Sequence, residues 1–321
     1  STWRTGDKIV VAPGGFDPRE AEVVTVRGVS GSNVTFAPAL KYARVAHMET
    51  VEGKLLDERP SVGLLSRNIV VRGADDSDAN AFGGHIMVMA GGSARASGVE
   101  LTKMGQRGRF GRYPLHWHLA GDRRGDYLMG SAIHDSFQRA AVVHSTSNVL
   151  IDGNVAYNIS NHAFVWAEDG DEAGVVMTLS AAIVASMRTM MMSPFQWVLA
   201  MLHAWRGRSF KRHVIRGNVS AGVLNGSGFF LDLFSPAAKL GGDEGGGLIF
   251  EGNTAHATYK ERAIGNQINY PEATQGHGLM VTTGTSGKYQ HVLSGYTGFH
   301  NTNGAWLEDR SVTLKNSIVA D

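Results

Sequence analysis

A short apolar segment that ends in Gly-Asn recurs along the chain, and no other feature of the sequence constrains the fold as strongly. It occurs at residues 149–155, 213–219 and 248–254, and in looser form at residues 312–318 and 68–73. Its apolar residues alternate with others, as in a strand with one buried face, and Gly-Asn tolerates the left-handed backbone of a sharp bend. Self-similarity of this kind indicates a solenoid, with the glycine of each unit at a coil corner.

A second short apolar segment follows several of these units. It lies at residues 163–166, 228–231, 278–281 and 304–307. Two strands per unit of about 22 to 26 residues predict a parallel β-helix in which each coil stacks on the previous one. Glycine, at 41 of 321 residues, fits a fold with many tight turns. A β-sandwich of regular hairpins is the alternative, but it does not predict the recurring Gly-Asn unit.

The start of the chain differs in kind from the repeats, because its short apolar segments are separated by turn residues. We predict that residues 1–47 form the C-terminal part of a small β domain, packed on the first coil, and that residues 48–321 form the β-helix. The most apolar stretch, near residues 173–210, is interrupted by Arg188 and Pro194. It is therefore predicted to be a helical or loop insertion and not a membrane span.

The sequence contains no cysteine, so any transition-metal site must be built from histidine and carboxylate. Lys and Arg number 30 against 29 for Asp and Glu, which gives a net charge of +1. This balance argues against a protein that binds nucleic acid through bulk charge. Acidic ligands must then be bound by local clusters.

Two histidines lie in one predicted strand. A period of two places His116 and His118 on one face of this strand, with Leu115, Trp117 and Leu119 on the other. The pair therefore shares a surface, and its neighbours fill the interior.

Aligning the strands of successive coils puts further residues beside this pair. His144 falls beside His118 and Glu168 beside His144, on strands about 4.8 Å apart, so the three form a ladder on the outer face. His85, one coil earlier, falls beside His116.

Imidazoles and a carboxylate that converge on one face form a site for Zn²⁺ or another divalent ion such as Ca²⁺. The predicted ligands are His116, His118, His144 and Glu168. The alternative is a ladder of polar side chains bonded to each other and to water. The sequence leaves both interpretations open.

Arginines and an aromatic residue flank the histidine strand. Arg107, Arg109 and Arg112 lie on a glycine-rich loop just before it and are predicted to bind carboxylates or sulfates bidentately. Trp117 offers a face for stacking on a sugar ring, although such aromatics also fill cores. With Asp232, which the same alignment places further along the row, these are the candidate substrate-binding residues. Ordinary solvated loops are the alternative for the arginines.

Carboxylates lie near the same row. Glu168 and Asp169 open a dense acidic turn, and Asp122 follows the histidine strand. Glycoside hydrolysis needs two carboxyl groups, and Glu168 or Asp169 together with Asp122 or Asp232 would supply them. The acidic turn would equally bind Ca²⁺ through oxygen ligands.

One long motif carries a family resemblance. Residues 104–122, Met-Gly-Gln-Arg-Gly-Arg-Phe-Gly-Arg-Tyr-Pro-Leu-His-Trp-His-Leu-Ala-Gly-Asp, resemble the signature of the cell-migration-inducing and cell-surface hyaluronidases and their bacterial relatives. Residues 3–47 resemble the C-terminal part of the β domain, named for its eight glycines, that precedes the solenoid in these proteins. The similarity extends to residues 83–89, 131–134, 140–146 and 163–170.

The resemblance implies a right-handed parallel β-helix, cleavage of hyaluronan and, from the cell-surface member, dependence on calcium. It also implies that the protein is secreted or displayed at the cell surface. Carried over to this chain, the motif positions are Arg112, His116, His118, Asp122, His144, Glu168 and Asp169.

The leading hypothesis is a metal-assisted hydrolase that cuts an acidic, hyaluronan-like polysaccharide on the outer face of the β-helix. Its predicted catalytic residues are Glu168, Asp169, His144 and Asp122. Two alternatives stay open. One is a lyase that acts by β-elimination, with a histidine or tyrosine removing the C5 proton. The other is a non-catalytic glycan-binding or adhesive solenoid.

Overall fold

The computed structural model describes residues 2–160, 162–166, 213–224, 226–232, 248–259, 276–282, 291–308 and 312–320. The first strands are β1 (Lys8–Val11), β2 (Glu22–Ser30), β3 (Asn33–Ala37), β4 (Met48–Val51), β5 (Lys54–Asp57) and β6 (Val62–Leu64). They form an antiparallel sheet of order β3-β2-β1-β6 and a hairpin of β4 and β5, with a 3₁₀ helix at Pro18–Glu20. The small N-terminal β module is thus confirmed. Because the sheet takes in β6, it extends beyond residue 47; the division into two domains stays a prediction.

The strands that follow are parallel and fall into two parts. The first part, residues 69–166, contains β7 (Ile69–Arg72), β8 (Ile86–Val88), β9 (Arg95–Ser97), β10 (Val99–Thr102), β11 (Leu115–Asp122), β12 (Tyr127–Met129), β13 (Ala132–Ser136), β14 (Ala141–Ser147), β15 (Leu150–Asp152), β16 (Val155–Ile159) and β17 (Phe164–Trp166). A one-turn helix, α1 (Ser77–Asn80), lies between β7 and β8.

The later part repeats the same pattern. Its strands are β18 (His213–Arg216), β19 (Val219–Leu224), β20 (Ser227–Asp232), β21 (Leu248–Glu251), β22 (Thr254–Tyr259), β23 (His277–Thr282), β24 (His291–Ser294), β25 (Thr297–Phe299), β26 (Asn303–Leu307), β27 (Val312–Lys315) and β28 (Ile318–Val319).

Within the described residues, successive coils contribute parallel strands to three sheets in the first part and to three in the later part. The orders are β9-β12-β15, β7-β10-β13-β16 and β8-β11-β14-β17 in the first part, and β18-β21-β24-β27, β19-β22-β25-β28 and β20-β23-β26 in the later part. This arrangement is a parallel β-helix, as predicted. The prediction of two strands per coil is wrong, because the segment after Gly-Asn forms a strand of its own.

The glycine of the repeated unit turns the chain from one sheet to the next. Gly153, Gly217 and Gly252 have φ angles of +63°, +67° and +63°. Residues that carry a Cβ rarely adopt this left-handed backbone conformation, so glycine suits the corner. The predicted coil corners are confirmed at these three positions.

Hydrogen bonds of the buried asparagine explain why Asn follows Gly in the repeated unit. Asn154 is fully buried; its Oδ1 accepts a hydrogen bond from the Ser131 backbone N at 2.9 Å, and its Nδ2 donates to the Leu128 carbonyl at 2.8 Å. Asn253 bonds the backbone of the preceding coil in the same way. The amide therefore joins neighbouring coils at the corner, where backbone pairing is interrupted.

The N-terminal module covers part of the outside of the β-helix. Val10, Ala12 and Leu65 form a hydrophobic cluster with Val155 and Ala221, which belong to later coils. The prediction that the module packs on the first coil is therefore wrong in its extent, because these contacts reach later coils. A separate continuous core fills the interior of the solenoid.

The insertion predicted near residues 173–210 lies outside the described residues. Among the residues that are described, no helix has the length and apolar character needed to cross a membrane.

Replacing Asn154 with Ala should lower the free energy of unfolding by about 2 to 4 kcal/mol, because a buried backbone N–H and a buried carbonyl both lose their partner. Urea denaturation followed by circular dichroism measures the change. Asn33→Ala, at an exposed position of β3, is the matched control and should change stability by less than about 0.5 kcal/mol. Equal losses in the two variants would contradict the role given to the buried amide.

One buried histidine of the later coils links stability to pH. His256 is 2% exposed and stacks on the ring of Phe299, with a centroid distance of 4.7 Å. Neither ring nitrogen has a hydrogen-bond partner within the described part of the chain. Burial, assisted by the charge of His300, lowers the pKa of His256 to about 3. The imidazole is therefore neutral in the folded protein except in strong acid.

We expect stability to fall in mild acid because of this histidine. The unfolded chain protonates His256 near pH 6.5 and the folded protein only near pH 3, so its contribution is complete above pH 6.5 and is lost as pH falls between these values. At about 1.4 kcal/mol per pH unit, the loss by pH 5 is about 2 kcal/mol. Urea unfolding at pH 7 and pH 5 should show about 2 kcal/mol less acid sensitivity in His256→Leu than in the wild type. Equal sensitivity in both proteins would refute the assignment.

Candidate active site

Strand β11 carries the two histidines on one face, as predicted. Leu115 and Trp117, on the other face, are 2% and 0% exposed and lie in the core. The strand bulges directly after His118, and Leu119 has a φ of +49° and is 55% exposed. The predicted place of Leu119 on the inner face is therefore wrong, because the bulge breaks the period of two.

Neighbouring coils bring two histidines together. β11 and β14 pair in a register that sets His118 beside His144, as the alignment of coils predicted. Their Nδ1 atoms are 2.9 Å apart. Two hydrogens cannot point at each other across this gap, so either one imidazole donates to the other or both lone pairs face a shared cation.

His116 is held in one tautomer. Its Nδ1 lies 3.1 Å from the Gly111 carbonyl oxygen. Because a carbonyl only accepts, Nδ1 carries the hydrogen and Nε2 carries a lone pair. Nε2 is buried and has no hydrogen-bond partner among the described residues. Histidines that bind metal ions are oriented by this kind of bond on their other nitrogen.

The three side chains form a group of possible metal ligands, here called the histidine cluster: His116, His118 and His144. One nitrogen from each lies within 4.8 Å of the others. His116 and His144 are buried and His118 is partly exposed, so His118 is the member that solvent reaches.

Burial keeps His116 uncharged. It lowers the pKa of this imidazole to about 4; the hydrogen bond to Gly111 opposes the shift, and the charges of His118, His144 and Arg139 assist it. Metal binding requires the deprotonated imidazole, so His116 is in the competent form at neutral pH.

Two residues beside the cluster escaped the sequence-based prediction. Tyr113 is fully buried, and its ring centroid lies 4.9 Å from that of His116. Arg139 is 4% exposed, places its guanidinium 5.3 Å from the Tyr113 ring centroid and donates to the Tyr113 hydroxyl at 3.3 Å. Positive charge next to neutral imidazoles favours an anionic ligand. In the sequence, Arg139 stands before a strand like any loop arginine.

The arginine loop, residues 105–112, adjoins the histidine cluster through the Gly111 carbonyl. Its arginines, Arg107, Arg109 and Arg112, are all exposed. Exposure beside the cluster fits the role in substrate binding, which stays a prediction.

His85 belongs to this loop region rather than to the cluster. Register pairs His116 with Met87, so the prediction that His85 lies beside His116 is wrong. Arg112 Nη1 donates to His85 Nε2 at 2.7 Å. Burial and the charge of Arg112 both lower the pKa of His85.

Trp117 does not bind substrate at the surface. It is fully buried, and its Nε1 donates to Asp126 Oδ2 at 2.9 Å. Burial raises the pKa of Asp126, but hydrogen bonds from Ser93, Ala94 and Trp117 outweigh it and leave the pKa below its ordinary value. The indole therefore has a structural role, and its prediction as a sugar-stacking residue is wrong.

Asp122 ends β11 with a side chain that is 58% exposed. Its carboxylate accepts hydrogen bonds from Asn148 Nδ2 at 2.8 Å and from the Arg124 backbone N at 3.0 Å. These bonds hold its pKa below the ordinary value. A general acid needs a raised pKa, so Asp122 fits the part of a base or of a binding group.

The other predicted carboxylates are not brought to the cluster by the described residues. Asp232 ends β20 in register with Thr282, and within the described strands this sheet is not paired with the sheet that carries the histidines. Glu168 and Asp169 lie outside the described residues. Their roles stay predictions.

Comparison with known proteins shows which family the region around this site resembles. Residues 81–231 match the family model described as CEMIP beta-helix. This region of the chain is similar to the β-helix of that family. It contains the arginine loop and the histidine cluster, and the resemblance drawn from the motif is confirmed.

Three curated relatives show the extent of the similarity. Fibrocystin-L of Homo sapiens is 32% identical over 236 residues, which cover 60% of this chain and 6% of that protein. Cell surface hyaluronidase CEMIP2 of Homo sapiens is 37% identical over 192 residues, covering 54% and 14%. A G8 domain-containing protein of Dictyostelium discoideum is 33% identical over 183 residues, covering 56% and 15%. The chain thus spans at most 15% of these relatives, and one of the three names states a reaction.

Removing one imidazole should weaken metal binding by more than about tenfold, because the described ligand set has only three members. Isothermal titration of Zn²⁺ into chelator-treated protein would compare the wild type with His118→Ala and His144→Ala. His47→Ala, which removes a half-exposed histidine of the N-terminal module, is the matched control and should bind as the wild type does. An affinity that is the same in all four proteins would rule out the histidine cluster as the metal site.

Proposed function

We propose that this chain is a carbohydrate-active hydrolase that cuts an acidic, hyaluronan-like polysaccharide at the histidine cluster. The observation that carries the proposal is the convergence of three imidazole nitrogens within 4.8 Å, beside a loop that exposes three arginines. The 37% identity with cell surface hyaluronidase CEMIP2 supports the same class of substrate. We place the activity outside the cell or at its surface, in line with the name of that relative.

The histidine cluster fits a divalent metal ion. Nε2 of His116 is buried, carries a lone pair and has no hydrogen-bond partner among the described residues. Ca²⁺ prefers oxygen ligands and Zn²⁺ binds imidazole readily, so three nitrogens favour Zn²⁺ or a similar ion. Such an ion, when bound, supplies Lewis acidity. Glu168 is proposed as a fourth, oxygen ligand.

The polypeptide provides the binding of the acidic chain. Arg107, Arg109 and Arg112 bind uronate carboxylates, which a planar guanidinium matches with two parallel hydrogen bonds. Arg139 adds positive charge near His116; burial is the main cause of the lowered pKa of that imidazole, and this charge makes a smaller contribution. Both features draw an anionic polymer to the same face.

Carboxyl groups provide the proton transfer. One must protonate the leaving oxygen while another acts as base or nucleophile. Asp122 stays ionised because of its hydrogen bonds, so it is proposed as the base. Asp169 is proposed as the acid where Glu168 binds the ion, and Glu168 or Asp169 where it does not. His144 orients the sugar or the ion through its place beside His118.

A size assay on hyaluronan tests the proposal. The purified protein should shorten the polymer without producing new ultraviolet absorbance, since hydrolysis leaves no double bond. His118→Ala and His144→Ala should each lower turnover by about 100-fold or more, and His47→Ala should leave it unchanged. Elemental analysis of the same samples gives the metal content. Products with unsaturated ends that absorb ultraviolet light would instead show that the protein acts by β-elimination and not by hydrolysis.

Metal removal is a separate test. Dialysis against a chelator should abolish shortening, and added Zn²⁺ should restore it better than added Ca²⁺, because the described ligands are nitrogens. Retention on immobilised hyaluronan with no shortening under any of these conditions would overturn the enzyme assignment. It would support a glycan-binding solenoid, a function compatible with the relatives whose names state no reaction.

A further inference from the structure

The tip of the arginine loop exposes an aromatic ring beside the histidine cluster. Phe110 is 62% exposed, more than any other aromatic side chain within the described residues. It precedes Gly111, whose carbonyl accepts the hydrogen bond from His116. An aromatic ring left in water forgoes the free energy of burial, so its exposure beside a candidate site points to a partner that covers it.

Hydrogen bonds hold the loop that carries Phe110 in place. The Gln106 backbone N donates to the Arg112 carbonyl at 3.0 Å and closes the loop, and the Arg109 N donates to the Gln106 carbonyl at 3.2 Å. The buried Gln106 side chain donates from Nε2 to the Gly83 carbonyl at 3.1 Å. The ring is therefore presented on a fixed support, and binding to it loses little loop entropy.

The guanidinium of Arg109, next to Phe110 in the chain, is also held in place by a neighbouring ring. The central carbon of Arg109 lies 5.4 Å from the ring centroid of Phe82, which is itself 48% exposed. This cation–π contact orients the guanidinium while its N–H edge stays available to a carboxylate. Arg112 is fixed in turn by its hydrogen bond to His85.

An exposed ring and a braced guanidinium on adjacent residues match one class of ligand. The face of a hexose ring carries C–H bonds, which pack against an aromatic ring. A uronic acid adds a planar carboxylate that pairs with a guanidinium. A neutral sugar would contact only the aromatic ring, and a small anion would contact only the guanidinium. A polysaccharide that contains uronic acid uses both groups.

We propose that Phe110 and Arg109 form a subsite for a disaccharide unit of an acidic polysaccharide. The Phe110 ring stacks on a hexose face, and Arg109, braced on Phe82, binds the carboxylate of the neighbouring uronic acid. The subsite rests on the proposed function, since it provides the selectivity for acidic chains at the same site. Gly111 connects it to His116, so a bound chain passes from the loop tip to the histidine cluster.

Calorimetric titration with two sugars tests the subsite. The probes are a hyaluronan octasaccharide and an uncharged chitin octasaccharide. Phe110→Ala should weaken binding of both sugars by about tenfold, and Phe110→Trp should stay within about twofold of the wild type. Arg109→Ala should weaken only the hyaluronan probe, by about tenfold.

Matched controls separate the subsite from general effects. Phe36→Ala and Arg27→Ala remove an exposed phenylalanine and an exposed arginine of the N-terminal module, and both should bind as the wild type does. Wild-type affinity of Phe110→Ala, or an equal loss in Phe110→Trp, would overturn the stacking role. A loss of chitin binding in Arg109→Ala would overturn the carboxylate role.

The titration is independent of turnover. If Phe110→Ala loses affinity while the wild type fails to shorten hyaluronan, the subsite stands and hydrolysis is rejected. If the wild type cleaves hyaluronan but Phe110→Ala binds normally, hydrolysis stands and the subsite is rejected.

Discussion

The in-register stacking of parallel strands is the constraint on which the rest of this structure depends. Backbone pairing between coils sets His118 beside His144, although 26 residues separate them along the chain. The corner residues preserve that register where strands end, because Gly153 takes the left-handed turn and Asn154 bonds the adjacent coil. The candidate site is thus a product of the same contacts that hold the solenoid together.

Removal from water gives the site its chemistry. The arginine loop and Tyr113 cover His116 on the outside of the β-helix, so an outward-facing histidine is nearly as buried as a core residue. Its pKa falls to about 4, whereas an imidazole in water titrates near 6.5. Gly111 selects which nitrogen keeps the lone pair, and Arg139 sets a positive potential nearby. Neutral imidazoles and a positively charged arginine therefore lie in one place.

Periodicity explains how much of this could be predicted from the sequence. The Gly-Asn unit and the alternation in the histidine strand repeat, so the fold and the histidine pair followed from counting. Single-residue irregularities do not repeat: the bulge at Leu119 and the start of β8, which pairs Met87 rather than His85 with His116, leave no local signal. The position of Arg139 depends on packing between segments that are distant in sequence, and no pattern within one coil records it.

A site assembled from neighbouring coils changes in discrete steps during evolution or engineering. Duplication of the coil that contains His144 would add one imidazole to the row and leave the interior packing of other coils unaltered, because each coil contacts mainly its neighbours. A single-residue insertion within β14 would instead turn the following side chains to the opposite face and remove His144 from the row. The number of coils can therefore change without any change in the sequence of the other coils. That number sets how many side chains one face of the solenoid can bring into the row.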